Sequence, residues 1–489
     1  MIEVKDTGIK SYHPDMDGDP LYVTKGYCHY SHEGTKDFLD YITAYQPEDG
    51  GVTFLVNTFR GSKAQVRIRF VSPTAFRFQM FPHLAQPKLN EVFGFAPVSG
   101  VQVTEEPLFI VVKTERVTLR LRKCPWEMTV ELDGEPLTME QIKDHNVDQK
   151  YKAVPVGFSV GDDGRILNAF ETMYMHCDEA FYGFGEKFTS FNKRGQKITV
   201  WQQDAQSTNS DVSYKGMPYF MSSEGYSVLM NTYTRTHFNM GASSGVSYTM
   251  ETEDPYLDYY MFCNRDYKGL IRDYTALSGR SAMIPRWAFG FWMSRMSYMS
   301  RQEVEEVVDQ MAKFGMSVDV IHIDGWLDTA QPDGGKELLC FDEERFPDPE
   351  GMIQSLREKG IHLSLWMFPY VHAVDRKGRF SSQFKIMNER GYLVKNQKGE
   401  PYLFSPGEGD AGNWKVAALD FTNPEFVAYM KERVKRLMRM GVGVIKTDFS
   451  EEIPEDAVLY DGSTGLESHN KYTLLYAKTI YEASREAKE

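Results

Sequence analysis

The sequence has little cysteine and no long apolar run. Its 489 residues include only five cysteines, which are widely scattered and form no CxxC pair. A disulfide framework or a zinc ribbon is therefore not expected, and a reducing, cytoplasmic setting is favoured. No stretch approaches the roughly 18 apolar residues of a membrane-spanning helix, and the N-terminus carries no basic-then-apolar signal. No membrane partner is expected.

Basic residues are also in deficit. Lys and Arg number 55 against 69 Asp and Glu, a formal net charge of −14, so the surface repels nucleic acid. The 42% apolar and 25% charged content is typical of a folded protein and excludes disorder. Aromatic residues reach 13%, which suits either a large core or a protein that binds the apolar faces of sugar rings. The length predicts two or three domains.

The first part of the chain has a period-two pattern. Residues 66–70, 76–80 and 117–122 alternate apolar and polar side chains, with turn-forming residues between the runs. Such alternation predicts strands that have one buried face and one face in water. Long helical patterns are absent before residue 285. We therefore predict an antiparallel β-sandwich as the N-terminal domain, residues 1–284.

From residue 285 onward, strand and helix signals alternate. Four buried-strand runs are predicted, at residues 288–293, 318–323, 361–366 and 442–445. Helix starts are indicated by Ser300 with Glu303, by Asp348-Pro349 and by Asn423-Pro424, and helix ends by Gly315, Gly360 and Gly441. Three successive strand–helix–strand passages predict a parallel sheet with crossover helices.

Two architectures have such a sheet, the open doubly wound fold and the TIM barrel. A doubly wound nucleotide-binding sheet wants a GxGxxG turn after its first strand, and Ser294-Arg295-Met296 stands there instead. A barrel carries its chemistry at the C-terminal ends of its strands, where this chain has Asp324, Trp366, Lys446 and Asp448. We therefore predict that residues 285–489 form the first half of a (β/α)8 TIM barrel, about four β-α units with a loop insertion near residues 371–416.

Each of these residues has a structural and a functional interpretation. Asp448 is either a loop or cap carboxylate or a nucleophile that Lys446 keeps ionised through its opposite charge. Asp324 is either a turn residue before a glycine or an acceptor for sugar hydroxyls. Trp366 is either a packing aromatic or a pocket wall. Asp204 lies in a polar loop of the sandwich, and that loop alone indicates a solvated residue.

Taken together, the motifs resemble glycoside hydrolase family 31, the retaining α-glucosidases and α-xylosidases, and particularly the bacterial α-xylosidase-like branch. The matching motifs, in family order, are GFGEKF at 183–188, WQQD at 201–204, YKGMPY at 214–219, GFWMS at 290–294, HID at 322–324, RFPDP at 345–349, LWMFPY at 365–370, DFTNP at 420–424 and KTDF at 446–449. Each motif is weak alone, but the set and its order are specific.

The resemblance implies a role for each site residue. Asp448 would be the catalytic nucleophile, and Asp324, Trp366 and Lys446 would line the pocket for the sugar that is cleaved off. Asp204 would help to shape the aglycone side. The expected partner is an oligosaccharide or small α-glycoside with a terminal xylose or glucose, without cofactor or metal, and the resemblance is compatible with a homo-oligomer.

Substrate choice depends on the pocket around C5 of the sugar. A xylosidase needs bulk where glucose carries its hydroxymethyl group, and Trp326 either supplies that bulk or stacks elsewhere. The pair Gly325-Trp326 differs from the one in the xylosidase branch. An α-glucosidase, or a relative that acts on a modified glucose such as sulfoquinovose, therefore stays open.

The sequence departs from the family after Asp448. The family's general acid/base is an aspartate in a WGGD-like motif beyond the nucleophile, and this chain shows only a loop, residues 451–467, and a helix from about Ser468. We expect a truncated chain that is inactive as it stands. The alternatives are a barrel completed by another polypeptide, a non-catalytic remnant, or a carbohydrate-binding or oligomerisation protein built on the N-terminal sandwich.

Overall fold

The chain forms two compact units. The computed structural model describes residues 5–6, 34–87, 89, 93–94, 98–140, 156–205, 212–295, 297–327, 337–374, 380–405 and 415–488. The first unit comprises Met1–Trp201 with Ser207–Arg280, and the second comprises Gln202–Gln206 with Ser281–Glu489. The short segment Gln202–Gln206 thus belongs to the second unit, although the residues on both sides of it in the chain belong to the first. Among the described residues, we find no helix whose length and hydropathy would let it span a lipid bilayer.

Antiparallel sheets build the first unit. Its strands are β1 Lys5–Asp6, β2 Thr35–Glu48, β3 Gly51–Thr58, β4 Lys63–Ser72, β5 Ala75–Pro82, β6 Gln102–Glu105, β7 Phe109–Lys113, β8 Val117–Lys123, β9 Trp126–Leu132, β10 Glu135–Met139, β11 Gly157–Val160, β12 Ile166–Tyr174, β13 Phe181–Gly185, β14 Lys197–Val200, β15 Gly216–Ser222, β16 Tyr226–Met230, β17 Thr236–Asn239, β18 Ser247–Thr252 and β19 Leu257–Cys263. Helix α1, Tyr267–Ser278, follows the last of them.

The described strands of the first unit pair into a large and a small sheet. The larger has fourteen strands in the order β13-β15-β16-β19-β5-β4-β3-β2-β11-β12-β18-β17-β14, with β1 beside β2, and the smaller has five in the order β10-β9-β8-β7-β6. Phe220 on β15 and Tyr226 on β16 contact Tyr248 on β18, far along the same sheet. The large sheet therefore folds across itself around a shared core.

The period-two predictions for this unit have mixed outcomes. On β4 and β8 the predicted apolar residues are buried and alternate with more exposed ones. On β5, by contrast, both faces are buried, and Arg77 and Gln79 are 4% and 2% exposed. The prediction of a face in water for residues 76–80 is therefore wrong. Arg77 and Gln79 both donate hydrogen bonds to the buried carboxylate of Asp258, which satisfies polar groups that water would otherwise solvate.

The second unit contains the parallel sheet that the sequence predicts. Its strands and helices are β20 Trp292–Arg295, α2 Arg301–Lys313, β21 Val320–Ile323, α3 Pro349–Glu358, β22 His362–Met367, β23 Tyr370–His372, α4 Ser382–Glu389, β24 Leu403–Phe404, β25 Val416–Ala418, α5 Pro424–Met440, β26 Val444–Thr447 and α6 Gly465–Glu486. Four of these strands pair in parallel in the order β20-β21-β22-β26.

Local sequence signals explain where most of these helices begin. The side chains of Ser300, Asp348 and Asn423 accept hydrogen bonds from free backbone N–H groups at the starts of α2, α3 and α5, as the capping signals predict. Helix α6 begins at Gly465, three residues before the predicted start. Thr464 and Glu467 form a reciprocal capping box there.

Two predicted elements of the second unit differ from the structure. The strand predicted at 288–293 lies further on, at β20, because Arg286–Phe289 forms a 3-10 turn between Pro285 and Gly290. The backbone groups of this turn form hydrogen bonds within the turn, so they are not available for pairing with the sheet. The insertion predicted near residues 371–416 contains α4 and a small antiparallel sheet, β23-β25-β24, besides its loops.

Candidate active site

Strand register places three of the predicted site residues side by side. In the parallel sheet His322 is opposite Ser364, and Trp366 is opposite Lys446. Asp324 follows His322 by two residues, so Asp324, Trp366 and Lys446 occupy equivalent positions on neighbouring strands. Successive side chains alternate between the faces of a sheet, and these three consequently share one face at its C-terminal edge.

Three donor groups lie around the carboxylate of Asp448, which follows Lys446 by two residues. The indole Nε1 of Trp366 donates a 2.7 Å hydrogen bond to Oδ2 of Asp448, and Nζ of Lys446 lies 3.3 Å from the same oxygen. Phe449 N–H also donates to Oδ1. The Asp448 side chain nevertheless keeps 40% of its surface exposed. The result is an oriented, charge-balanced and accessible carboxylate, which is what attack on an electrophilic carbon requires.

Asp324 forms the other half of the charged cluster. Its Oδ1 lies 2.6 Å from Nε2 of His322 and 3.9 Å from Nζ of Lys446, while Nδ1 of His322 lies 2.9 Å from Oγ of Ser364. Lys446 thus stands between the carboxylates of Asp324 and Asp448. Sequence reasoning did not assign a role to His322, although its i,i+2 spacing from Asp324 would have placed both on one strand face.

Trp326 differs from its predicted setting. Its side chain is 1% exposed and packs against Phe341, with ring centroids 4.7 Å apart. Its indole N–H donates a 2.7 Å hydrogen bond to the backbone oxygen of Trp366. A buried ring offers no surface to a sugar, so Trp326 supports Trp366 and does not supply bulk beside C5 of a substrate.

A second group of carboxylates surrounds the loop after Asp448. The N–H of Asp204 donates to Oε1 of Glu452, which brings the segment that carries Asp204 to this loop. Glu451 is 7% exposed. Burial raises the pKa of Glu451 to about 7, and the negative charges of Asp204, Glu452 and Asp448 act in the same direction. The sequence predicts only that Glu451 begins the loop of residues 451–467, and it indicates no burial.

This raised pKa predicts a pH-dependent stability. A carboxyl group whose pKa is higher in the folded state favours folding below its unfolded pKa, and that contribution is lost as the pH rises toward 7. We expect Glu451→Gln to match the native chain near pH 4, below the unfolded pKa, and to exceed its free energy of unfolding by about 3 kcal/mol near pH 7.5. Urea unfolding at both pH values measures this, with exposed Glu455→Gln as the control. Equal pH dependence in native and Glu451→Gln chains would contradict the assignment.

The backbone after Asp448 has an unusual conformation. Phe449 has φ 59° and Ser450 has φ 105°, two consecutive positive values at non-glycine residues. Such conformations cost free energy and persist where the surroundings enforce them, often at functional sites. Ser450 is buried, and its hydroxyl lies 3.0 Å from that of Thr473 on α6. Helix α6 therefore helps to hold the turn that follows Asp448.

Comparison with known families agrees with this arrangement. Residues 281–489 match the glycosyl hydrolases family 31 TIM-barrel domain, and residues 65–239 match the glycosyl hydrolase 31 N-terminal galactose mutarotase-like domain. The chain belongs to glycoside hydrolase family 31. The family architecture is multidomain, with a β-rich mutarotase-like domain followed by the barrel domain, as the two matches are ordered here.

Individual relatives of this family 31 chain include enzymes of more than one specificity. It is 32% identical to the α-xylosidase XylQ of Lactiplantibacillus pentosus, over 84% of this chain and 50% of the relative. It is 28% identical to α-glucosidase 2 of Bacillus thermoamyloliquefaciens, over 63% of this chain and 40% of the relative. A Flavobacterium johnsoniae family 31 dextranase solved with glucose superimposes with a TM-score of 0.76 at 24% identity, covering 91% of this chain and 53% of that one. The chain thus spans about half the length of such relatives.

Proposed function

We propose that this chain carries the nucleophile half of a retaining α-glycoside hydrolase that releases a terminal α-linked xylose or glucose. The main observation that supports this proposal is the set of contacts made by the Asp448 carboxylate. Its carboxylate accepts the Trp366 N–H, pairs with Lys446 and stays open to solvent. Asp324, at the other side of Lys446, provides an acceptor for sugar hydroxyls.

The reaction proceeds in two steps. An oxygen of Asp448 attacks the anomeric carbon, the bond to the leaving oxygen breaks, and an acid carboxyl protonates that oxygen. The acid, now a carboxylate, then takes a proton from water, the water oxygen attacks the anomeric carbon, and Asp448 departs as a free carboxylate. The Trp366 hydrogen bond and the Lys446 charge orient Asp448 for attack and stabilise it as the leaving group of the second step.

We assign the acid/base carboxyl, and the second half of the barrel, to polypeptide outside these residues. A TIM barrel has eight strands, and within the described part of the chain the parallel sheet has four. Among the described residues, β20 and β26 each pair with a strand on one side only. Apolar groups near β20 are exposed, with Phe289 at 76% and Phe291 at 50%. Open edges and exposed rings of this kind call for a covering partner.

The reading frame beyond Glu489 tests this assignment. Continuation into further β-α units with an aspartate in a WGGD-like motif is the expected result. A stop codon directly after Glu489 would instead require a second polypeptide, and failure to find one by co-purification from the native source would leave the chain a non-catalytic remnant.

Xylose and glucose are both candidates for the sugar that is released. The relatives include an α-xylosidase and an α-glucosidase, and the buried Trp326 does not limit the size of the substituent at C5. Comparison of kcat/KM for aryl α-xyloside and aryl α-glucoside, with the enzyme extended through its reading frame, decides between them. A higher value for a sulfonated glucoside than for either would move the assignment to a modified glucose.

We expect the hydrogen bond from Trp366 to Asp448 to contribute measurably to kcat. Trp366→Phe keeps an aromatic ring and removes the N–H that Asp448 accepts at 2.7 Å. A hydrogen bond to a charged group is worth about 1.5–3 kcal/mol, so we expect kcat of the enzyme extended through its reading frame to fall about 10- to 100-fold. The control is Trp292→Phe, whose N–H donates to a backbone oxygen of the 3-10 turn. Equal losses in the two variants would contradict the role of Trp366.

Carbohydrate binding by the first unit alone is a second candidate function. It is favoured by a cluster of rings in which Phe191, 82% exposed, lies 5.1 Å from Tyr182, which also contacts Tyr267. Exposed rings can stack on the apolar faces of sugars. Titration of the full chain with xylo- and gluco-oligosaccharides tests this, and binding that Phe191→Ala abolishes while Asp448→Asn leaves it intact would favour the binding role.

A further inference from the structure

Both ring nitrogens of His469 on α6 face backbone oxygens. His469 is 5% exposed, with Nδ1 2.7 Å from the oxygen of Ile453 and Nε2 2.6 Å from the oxygen of Gln202. A carbonyl oxygen can only accept a hydrogen bond, whereas a neutral imidazole carries a single N–H. Two short contacts of this kind are satisfied together only when both nitrogens are protonated. The geometry fits a buried imidazolium.

This imidazolium would join two segments that come from distant parts of the sequence. On one side is the segment 202–205, which carries Asp204, and on the other is the loop that runs from Asp448 to Ile453. Asn470, the next residue on α6, accepts a hydrogen bond from the N–H of Gln202. Both backbone groups of Gln202 are thus held by consecutive residues of one helix.

Helix α6 lies unusually close to this loop. A Cβ atom on Gly465, the first residue of α6, would stand 1.7 Å from the backbone oxygen of Pro454. Such a distance is far below any van der Waals contact, so only glycine allows this approach. The approach brings His469, one turn further along the helix, within hydrogen-bonding distance of Ile453.

Acidic residues outnumber basic ones on the segments next to His469. The titratable and charged groups on the elements packed here are Asp204, Tyr370, Asp448, Glu451, Glu452, Glu455, Glu467 and Lys471. Most of them are acidic, and one buried cation among several carboxylates is stabilised by their field. The positive end of the α6 dipole and Lys471 act against it. The two carbonyl acceptors add to the stabilisation because hydrogen bonds from a charged donor are stronger than neutral ones.

We propose that His469 is a positioning residue, a protonated clamp that holds the segment 202–205 against the loop after Asp448. The clamp fixes Asp204 and Glu452 relative to each other, since the Asp204 N–H donates to Glu452, and with them the carboxylates beside the proposed nucleophile. Its catalytic consequence rests on the proposed function, but the clamp itself is a property of the folded chain and is measured without hydrolysis.

The charge of His469 is tested directly by nitrogen NMR of the 489-residue chain labelled at histidine. Loss of one ring system in His469→Gln assigns the signal, and His176→Gln, at an exposed position, is the matched control. We expect both His469 nitrogens to be protonated near pH 7.5, where an ordinary histidine is mostly neutral. A single protonated nitrogen at that pH would overturn the proposal. If His469→Gln does not fold, substitution of the other histidines one at a time assigns the same signal by elimination.

A second readout separates a charged clamp from a purely structural histidine. Amide hydrogen exchange, corrected for intrinsic pH dependence, reports the protection of residues 202–205 and 449–454. We expect the native chain to lose this protection at least about tenfold as His469 loses its proton, and His469→Gln to be unprotected at every pH. Protection that does not follow the His469 titration would contradict the clamp. A confirmed clamp in a protein whose hydrolysis survives Asp448→Asn would leave the clamp standing and remove the proposed function.

Discussion

Replacement of Asp448 by asparagine should lower kcat/KM for an aryl α-glycoside at least about 10⁴-fold in the enzyme extended through its reading frame. The amide has nearly the same shape and can still accept the Trp366 N–H. It carries no negative charge, however, and cannot form the ester bond to the anomeric carbon on which the two-step reaction depends. The measurement is the rate of aglycone release with enzyme in large excess over any contaminating hydrolase.

A second Asp-to-Asn variant controls for the general effect of removing one negative charge. Asp309 is an exposed residue of helix α2, and its carboxylate pairs with Lys359. Asp309→Asn should stay within about twofold of the native rate, since exposed ion pairs contribute little. If Asp448→Asn kept more than a tenth of the native rate, Asp448 would not be the nucleophile.

The largest expected effect on stability belongs to Arg77→Met in the first unit. Nε and Nη2 of Arg77 donate to the two oxygens of Asp258 at 2.8 and 2.6 Å, and both side chains are at most 5% exposed. Removal of one member of a buried pair leaves the other charge uncompensated and costs about 3–5 kcal/mol. The pKa of Asp258 is already raised by burial, which Arg77 opposes, so without Arg77 the cost should be greater near pH 8 than near pH 5.

An exposed pair of the same unit supplies the control. Arg116 makes a similar two-point contact with Asp133, but both side chains are more than 40% exposed. Arg116→Met should change the free energy of unfolding by less than about 1 kcal/mol. Comparable losses for Arg77→Met and Arg116→Met in urea unfolding would show that burial of the Arg77–Asp258 pair is unimportant.

These two pairs also show how far the sequence predicts the fold. On β4 and β8 the alternation of apolar and charged residues correctly predicts which side chains are buried, because one face of each strand packs on the core. On β5 the same alternation was misleading, since Arg77 and Gln79 find their partner in Asp258, far away in the sequence. A periodic pattern records which side chains are polar, but it does not record which polar side chains are paired.

The site residues likewise fall into those that the sequence predicts and those that it does not. The sequence predicts the positions of Asp324, Trp366, Lys446 and Asp448, because parallel strands end at the same edge of the sheet and their terminal residues lie close together. The 3.9 Å and 3.3 Å contacts of Lys446 with Asp324 and Asp448 follow from that rule. Trp326, by contrast, was predicted at the pocket and lies in the core. Glu451 and His469 carry no local signal, because their setting depends on the segment 202–205, which is remote in sequence.

The central claim is that Asp448 becomes covalently bonded to the sugar. The most direct test is peptide mass mapping of the reading-frame-extended enzyme after reaction with a 5-fluoro α-glycosyl fluoride of xylose or glucose. The fluoride leaves without needing a proton, and the ring fluorine slows release of the bound sugar by destabilising the positively charged transition state. We expect the added mass of one fluorosugar on the peptide that contains Asp448. An adduct on any other residue, or turnover with inversion and no adduct, would contradict the account.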